Sequence, residues 1–192
     1  ESVRIENGAQ TKKFTIKADE YEDNRHFFIS QYFRDVYEQS LSRLPFVSAQ
    51  TNISKIEVWV TNKTRQTIDV REMVAFQDIG EINKVFNPSI LSGNTNPYPE
   101  SNSNNLYNII TRSTDAQDFR DPARCISFLE HHALQAVDDY EKVSARKLAS
   151  TEYTFNAQLG YISLNQQLRP DEVLGVAIQY TVNGQVYQLG EF

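Results

Sequence analysis

Residues 174–189 read LGVAIQYTVNGQVYQL, and this stretch decides the fold class. Asn183-Gly184 is a preferred pair for a two-residue type I′ turn, because both central positions of that turn need a positive φ. The turn sets the register of the flanking strands and places Val182 opposite Gln185 and Tyr180 opposite Tyr187. One face of the hairpin is then apolar, with the residues Leu174, Val176, Ile178, Tyr180, Tyr187 and Leu189. The pattern predicts an antiparallel sheet with one buried face.

Further strands precede this hairpin. Short segments with period-two alternation are predicted at about 14–18, 56–61, 67–77, 140–148, 152–156 and 160–164. The polar link at 62–66 is a plausible hairpin turn, which would pair the strand at 56–61 with the strand at 67–77. In the strand at 56–61, Trp59 lies opposite the face formed by Ile56, Val58 and Val60.

Two helices are predicted, at about 24–43 and 122–137. In the first, apolar residues recur at three- and four-residue steps, Asp23 or Asn24 offers an N-cap, and Pro45 marks the end. The second opens at Asp121-Pro122, an N-cap followed by proline at the first helical position. Its predicted buried stripe is Ile126, Leu129, Ala133, Ala136 and Val137. The fold class is therefore α+β, a mainly antiparallel sheet with two helices packed on it.

The segment 87–108 breaks these patterns. Asn, Ser, Pro and Gly fill 15 of its 22 positions, and such a composition buries too little apolar surface to offset the entropy of ordering it. We therefore expect a long surface loop, which is either functional or a disordered insertion. Tyr98 and Tyr107 in this loop are interaction candidates, because nothing in the local pattern buries them. Trp59 is a third candidate for contact with a sugar or a partner chain, with a second buried layer as the alternative.

Composition excludes several classes of function. The chain has 192 residues with 19 basic and 25 acidic side chains, a net charge of −6, which argues against nucleic acid as a partner. A single cysteine, Cys125, can form no internal disulfide and supplies no thiolate cage. The zinc-protease, serine-hydrolase and nucleotide-loop motifs are all missing from the sequence. We therefore expect no catalytic, cofactor-binding or metal-binding residues, and no enzyme.

The chain reads as one soluble domain, 1–192, because no run approaches the roughly 20 apolar residues of a membrane helix. It starts at Glu1 without an initiator Met and stops directly after a patterned strand. We expect a piece cut from a larger protein.

Longer strings resemble the SprA/Sov family, very large gliding-motility and type IX secretion proteins of Bacteroidetes. The strings are YFRD at 32–35, IEVWVTN at 56–62, VREMVAFQDIGE at 70–81, DYEKVSARKL at 139–148, EYTFNAQLGYISLN at 152–165 and DEVLGVAIQY at 171–180. The resemblance covers about 14–83 and 138–192. It leaves out the polar middle of the chain.

The resemblance implies that the parent is an outer-membrane translocon, a large β-barrel with soluble insertions, and that this chain is one insertion. Its expected role is structural, in protein secretion and gliding motility. Implied partners are other parts of the translocon, partner lipoproteins and secreted cargo. The implied location is extracytoplasmic, at the outer membrane or cell surface, with the periplasmic side as the alternative. A different hypothesis is a cell-surface adhesin or a glycan- or peptide-binding module that uses Trp59 and the loop tyrosines.

Overall fold

A computed structural model describes residues 3–6, 9–12, 15, 17, 21–63, 67–83, 87, 90, 96–111 and 121–192. Its elements in chain order are β1 Val3–Glu6, β2 Ala9–Lys12, β3 His26–Phe28, α1 Gln31–Ser40, β4 Thr51–Thr61, β5 Val70–Phe76, α2 Leu106–Thr111, α3 Pro122–His131, β6 Tyr140–Lys147, β7 Tyr153–Asn156, β8 Tyr161–Leu164, β9 Leu174–Val182 and β10 Gln185–Leu189. The predicted α+β class is confirmed. The strand predicted at 14–18 lies outside the described residues, apart from Thr15 and Lys17, neither of which is in a strand.

The described strands form three antiparallel sheets. The largest has the order β10-β9-β4-β6-β5, a second has the order β3-β8-β7, and β1 pairs with β2. The β9–β10 hairpin has the predicted register, with Val182 opposite Gln185 and Tyr180 opposite Tyr187. Asn183 and Gly184 have φ values of 49° and 84°, as a type I′ turn requires.

The predicted hairpin between 56–61 and 67–77 is wrong. β6 lies between β4 and β5 and pairs with both, and its ladder with β5 runs from Val70–Arg146 to Phe76–Tyr140. Residues 62–66 contain neither Gly nor Pro, so no local turn chemistry favours the direct hairpin. Insertion of β6 satisfies both of its edges, whereas the hairpin would leave one of them unpaired.

The first helix is shorter than predicted. It begins after Ser30, its N-cap, and ends at Ser40, so residues 24–29 and 41–43 are not helical. His26–Phe28 instead forms β3 and pairs with β8, 137 residues further along the chain. This tertiary pairing overrides the helical spacing, because Phe27 joins the buried residues of the sheet while His26 and Phe28 face the other way.

The second helix opens as predicted, with the Asp121 carboxylate accepting a hydrogen bond from the Ala123 amide. It ends six residues early, at His131, and the predicted burial of Ala133, Ala136 and Val137 is wrong, since all three are exposed. Ala133 has a positive φ of 59°, and the Leu134 amide donates back to the Leu129 carbonyl. This is a Schellman ending, closed by apolar contact between Leu129 and Leu134.

The prediction of a surface loop at 87–108 is wrong for much of the stretch 96–108. Pro99, Ser103 and Asn104 are among the most buried residues of the described chain. Residues 106–108 begin α2, in which Leu106 is fully buried against α3 and β6. Ile90, in the same segment, is also buried.

The hydrophobic core lies on one face of the five-stranded sheet. A first cluster packs Phe33 of α1 on Ile178, Tyr180 and Tyr187. A second packs α2 and α3 on the β5–β6 end, around Tyr140. A third fills the space between the two larger sheets, where Val58 and Val60 meet Ile162 and Leu164. The opposite face of the five-stranded sheet contributes to none of these clusters.

Gly160 lies between β7 and β8 and faces Phe33 of α1, so a substitution there tests this contact. A Cβ at this position would overlap the ring of Phe33, and its φ of +64° is unfavourable for other residues. We expect Gly160→Ala to lower the free energy of unfolding by about 2–4 kcal/mol, measured by urea denaturation. Gly175→Ala is the matched control, because a Cβ there meets nothing within 4 Å, and its change should stay within about 0.5 kcal/mol. Equal free energies of unfolding for the two variants would contradict the close contact between residue 160 and Phe33.

Candidate functional site

Trp59 lies on the face of the five-stranded sheet opposite the core, yet it is only 8% exposed. The Arg71 guanidinium and the Lys147 ammonium lie 5.6 and 5.9 Å from its ring centroid. Lys147 also forms an ion pair with Glu57. The indole is thus occupied by contacts within the chain. A sugar-stacking module would need an exposed ring, so the glycan-binding hypothesis receives no support from Trp59.

Tyr98 is a partly buried member of an aromatic cluster on the core face. Its ring lies 5.5 Å from that of Tyr32 and 5.4 Å from that of Tyr187, and its hydroxyl donates to the Gln50 side chain. The neighbouring Pro99 carbonyl accepts a hydrogen bond of 2.8 Å from the Tyr180 hydroxyl. Burial raises the pKa of Tyr180, so this hydroxyl stays a donor at neutral pH. Tyr98 therefore fastens its segment to the core.

Tyr107 lies on α2 and is partly exposed. Its hydroxyl donates to the Glu191 carboxylate at 3.3 Å, and burial together with that carboxylate raises the pKa of Tyr107. Trp59 and Tyr98 lie on opposite faces of the five-stranded sheet. The structure therefore does not bring the predicted interaction residues together into one site.

Asn104 holds the Asn- and Ser-rich segment around it in place through hydrogen bonds in the interior. Its side-chain amide donates to the carbonyls of Asp78 and Glu81 at 2.6 and 3.1 Å, and its oxygen accepts the Leu106 amide at 2.9 Å. Asn104 has no exposed surface. Because every polar group of this side chain is bonded, a segment rich in Asn and Ser can pass through the interior. These bonds also fix the position of residues 78–81.

Residues 78–81 form one wall of a surface groove of about 390 Å³. β3 and the N-terminus of α1 also line it. The polar and charged lining includes His26, Ser30, Gln31, Arg34, Asp78 and Glu81, and Phe28 adds an apolar ring. The groove thus joins a strand, a helix start and a loop that are far apart in sequence.

Two backbone bonds to the β8 side show which peptide groups of β3 have no partner among the described residues. The Arg25 carbonyl accepts from the Leu164 amide, and the Ile29 amide donates to the Gly160 carbonyl. Since backbone groups alternate in direction along a strand, residues 25, 27 and 29 face β8 while His26 and Phe28 face away from it. β3 is an edge strand of its sheet. The peptide groups of His26 and Phe28 therefore point away from the sheet, toward the groove.

Ser30 contributes a side chain with unused hydrogen-bonding capacity. It occupies the N-cap of α1 with an extended backbone, but its hydroxyl makes no capping bond. Ser30 is 8% exposed, and its Oγ has no hydrogen-bond partner among the described residues. Buried hydroxyls usually have partners, so an unpaired one beside a groove indicates a place for a ligand group.

Glu81 takes the position that a capping side chain would fill. Its carboxylate accepts the Gln31 amide at 3.2 Å, at the positive end of the helix dipole. Burial raises the pKa of Glu81, and the carboxylates of Asp78 and Asp35 add to the effect. No basic group among the described residues acts on Glu81 to lower its pKa. Within the described part of the chain, the half-buried Glu81 carboxylate therefore has a backbone amide as its partner and no cation.

A second polar cluster lies beside the groove on the outer face of β3 and β8. His26 Nδ1 is 2.9 Å from Ser163 Oγ, and His26 Nε2 is 2.7 Å from the Glu22 carboxylate. The hydrogen bond from His26, followed by the charge of Arg25, lowers the pKa of Glu22. The order hydroxyl, imidazole, carboxylate resembles a hydrolase triad. However, β8 pairs on both sides, so its backbone amides are not free to bind an oxyanion.

The sequence prediction missed this groove because it placed His26 and Phe28 inside a helix. A signal was present, since Ser30 directly precedes the residues that form α1 and Ser is as good an N-cap residue as Asp. The signal for Glu81 could not be read locally, because its partner Gln31 lies 50 residues away.

Other site classes have little material in the described part of the chain. It contains no group of three or more His, Cys, Asp or Glu residues arranged to hold a metal ion. Cys125 is buried, and burial raises the pKa of its thiol, which makes it an unreactive core residue. Among the described helices, none has the length and apolar character needed to cross a membrane.

A family model described as motility related/secretion protein matches residues 1–170. The chain therefore belongs to a class of motility-related secretion proteins. That family is SprA_N, which confirms the resemblance seen in the sequence strings. The match also spans the polar middle of the chain, which the strings did not cover. No curated protein matches the sequence.

Asn104 gives a direct test of the buried polar network. Replacing it with Ala leaves the Asp78 and Glu81 carbonyls and the Leu106 amide without this partner in the interior. We expect Asn104→Ala to lower the free energy of unfolding by about 2–4 kcal/mol, measured by urea denaturation. Asn102→Ala changes the same residue type at an exposed position and should cost at most about 0.5 kcal/mol. A small loss for both variants would show that the segment is not held from within.

Glu81 gives a test by pH. Its pKa in the folded chain lies above its ordinary value of 4.5, so the folded state binds the proton more tightly than the unfolded state. Stability is then fully present below pH 4.5 and falls as the pH rises through the raised pKa. Glu81→Gln keeps an acceptor for the Gln31 amide but removes this penalty. We expect the variant to gain in unfolding free energy, relative to the native chain, between pH 4 and pH 7.

The control for this titration is Glu38→Gln, an exposed carboxylate on α1. Its difference from the native chain should change little between the two pH values. If Glu81→Gln also showed the same difference at pH 4 and pH 7, the half-buried carboxylate would not be the group that titrates.

Proposed function

We propose that this chain is a non-enzymatic domain of a SprA-like outer-membrane translocon, and that it supports type IX protein secretion and gliding motility through structural and interaction roles. The observation that carries the proposal is the family match over residues 1–170. The strings at 139–148 and 152–165, which resemble the same family, add to it. The sequence offers no catalytic motif, and this supports a role without chemistry.

The fold supports an interaction role at a specific place. The core is closed on one face of the five-stranded sheet, and the predicted aromatic contacts are used within the chain. The groove beside β3 differs, because it combines a strand edge and a Ser30 hydroxyl that have no partner among the described residues with a half-buried Glu81 carboxylate on which none of their basic groups acts. Such a surface favours a protein partner over a small molecule.

The proposed partners are other parts of the translocon, partner lipoproteins and secreted cargo. The proposed location is extracytoplasmic, at the outer membrane or cell surface, with the periplasmic side as the alternative. The net charge of −6 argues against nucleic acid.

A pair of substitutions in the complete translocon protein tests this function. Asn104→Ala should unfold or loosen the domain, while Asn102→Ala should leave it intact. We expect Asn104→Ala to reduce export of type IX cargo into the medium and spreading of colonies on agar. Asn102→Ala should match the native strain in both measurements. Immunoblots of the outer-membrane fraction must show equal levels of the translocon protein in all strains.

A second strain, in which the domain is deleted and a short flexible linker joins its flanks, removes any dependence on a single side chain. Export and spreading that remain at native levels in this strain would refute the proposed function. Loss of both, with the translocon protein still present in the outer membrane, would support it.

A further inference from the structure

The groove beside β3 has the parts of a site for an extended peptide. Its volume of about 390 Å³ lies in the range of ligand pockets, about 300–1,000 Å³. It runs along a strand edge and is not a closed cavity, so a partner can enter it from the side. Neighbouring strands lie about 4.8 Å apart, and an added strand needs only one free edge.

The edge itself supplies the bonds. His26 and Phe28 each direct one amide and one carbonyl away from β8, which makes two donors and two acceptors for a chain lying alongside. β3 is only three residues long, and Asp78 and Glu81 line the same groove. This arrangement limits the pairing to a short segment and hinders sheet-to-sheet association with a second long edge.

The Ser30 hydroxyl lies where β3 ends and α1 begins. It is buried and has no partner among the described residues. Ser30 is one of the residues that line the groove, so a peptide that continued past Phe28 would pass beside it.

Glu81 determines the chemistry of the side chain that the groove accepts. The carboxylate is half-buried, and Asp78 and Asp35 are its charged neighbours. Arg34 also lines the groove, but it is exposed and does not act on the Glu81 carboxylate. A half-buried carboxylate that lacks a cation is costly, and a basic side chain from a partner would offset that cost.

We propose that this groove binds an extended segment of a partner protein, which adds as a strand to the free edge of β3 and places a Lys or Arg side chain against Glu81. The inference deepens the proposed interaction role by naming the class of partner: a basic, extended peptide. Specificity comes from one charged side chain, and backbone bonds to His26 and Phe28 supply the binding that does not depend on sequence.

Binding of three labelled peptides to the purified 192-residue chain tests the proposal. Each is a fluorescein-labelled nonapeptide of alternating Thr and Val, with Lys, Gln or Glu at the central position. We expect the Lys peptide to bind at least about tenfold more tightly than the Glu peptide in fluorescence anisotropy, because close charge pairs at interfaces contribute this much or more. Equal affinities for the three peptides, or no binding, would overturn the proposal.

Variants of the chain identify the charge that is recognised. Glu81→Gln should abolish the preference for Lys, while Glu38→Gln, at an exposed position on α1, should keep it. Circular dichroism and urea denaturation of both variants show that they are folded. A preference for Lys that survives Glu81→Gln would overturn the assignment of the groove.

Methylation of the peptide backbone tests strand addition without changing the chain. A series of Lys peptides carries a single N-methyl group at successive positions. If the peptide adds to β3, methylation should weaken binding at two positions that lie two residues apart, because only the carbonyls of His26 and Phe28 accept from the peptide. Uniform effects along the series would contradict strand addition.

A second copy of the chain is the other possible occupant of the groove. Concentration-dependent dimerisation that Glu81→Gln abolishes, together with no binding of the Lys peptide, would overturn the peptide proposal. The readouts are separable from the test of function, since export can fail while peptide binding is normal. Normal export in the strain that lacks the domain, together with normal peptide binding by the purified chain, would refute the secretion role and leave the groove assignment intact.

Discussion

The double pairing of β4 is the interaction on which the rest of the structure depends. β4 pairs with β9 along most of its length and with β6 at its C-terminal end, and so joins the hairpin at one edge to the β5–β6 pair at the other. A register shift between Ile53 and Lys55 marks a bulge at Ser54. Because the bulge adds one residue, Ile53 and Ile56 both face the core although they are three positions apart.

That bulge shows why the sequence predicted β4 only in part. Strict alternation begins at Ile56, and from there the predicted strand is confirmed. The bulge interrupts the period-two pattern in residues 51–55, so the sequence does not predict this part of β4. The β9–β10 hairpin had no such interruption. Its turn, register and buried face follow from local rules alone, and all of them are confirmed. Prediction thus succeeded where the information needed for pairing lies within a few residues.

Long-range pairing accounts for most of the errors. The sequence predicts a helix in place of β3 because Phe28 and Tyr32 have helical spacing. The strand that pairs with β3 lies 137 residues away in the sequence. Likewise, no feature of 62–66 shows that β6 will separate β4 from β5. The same limit applies to the groove, whose walls come from three separate parts of the chain. Sequence patterns indicate neither these residues as a site nor their proximity.

The prediction of a surface loop at 87–108, made from composition, is wrong for a different physical reason. A segment rich in Asn, Ser and Pro was expected at the surface because it has few apolar side chains to bury. Asn104 shows that burial can also be supported by complete hydrogen bonding, since its amide satisfies three backbone groups at once. Tyr98 and Leu106 then supply apolar contacts on either side of it. What matters is whether each polar group finds a partner, and the count of polar residues does not reveal that.

The buried network and the open groove are parts of one arrangement. Asn104 bonds the carbonyls of Asp78 and Glu81, so the segment that passes through the interior also holds the wall of the groove. Glu81 in turn bonds the first amide of α1, beside the unpaired Ser30 hydroxyl. Because these bonds hold the Glu81 backbone in a groove that β3 also lines, less entropy is lost when a partner binds. The interior of this domain therefore prepares the one edge at which a partner strand is proposed to bind.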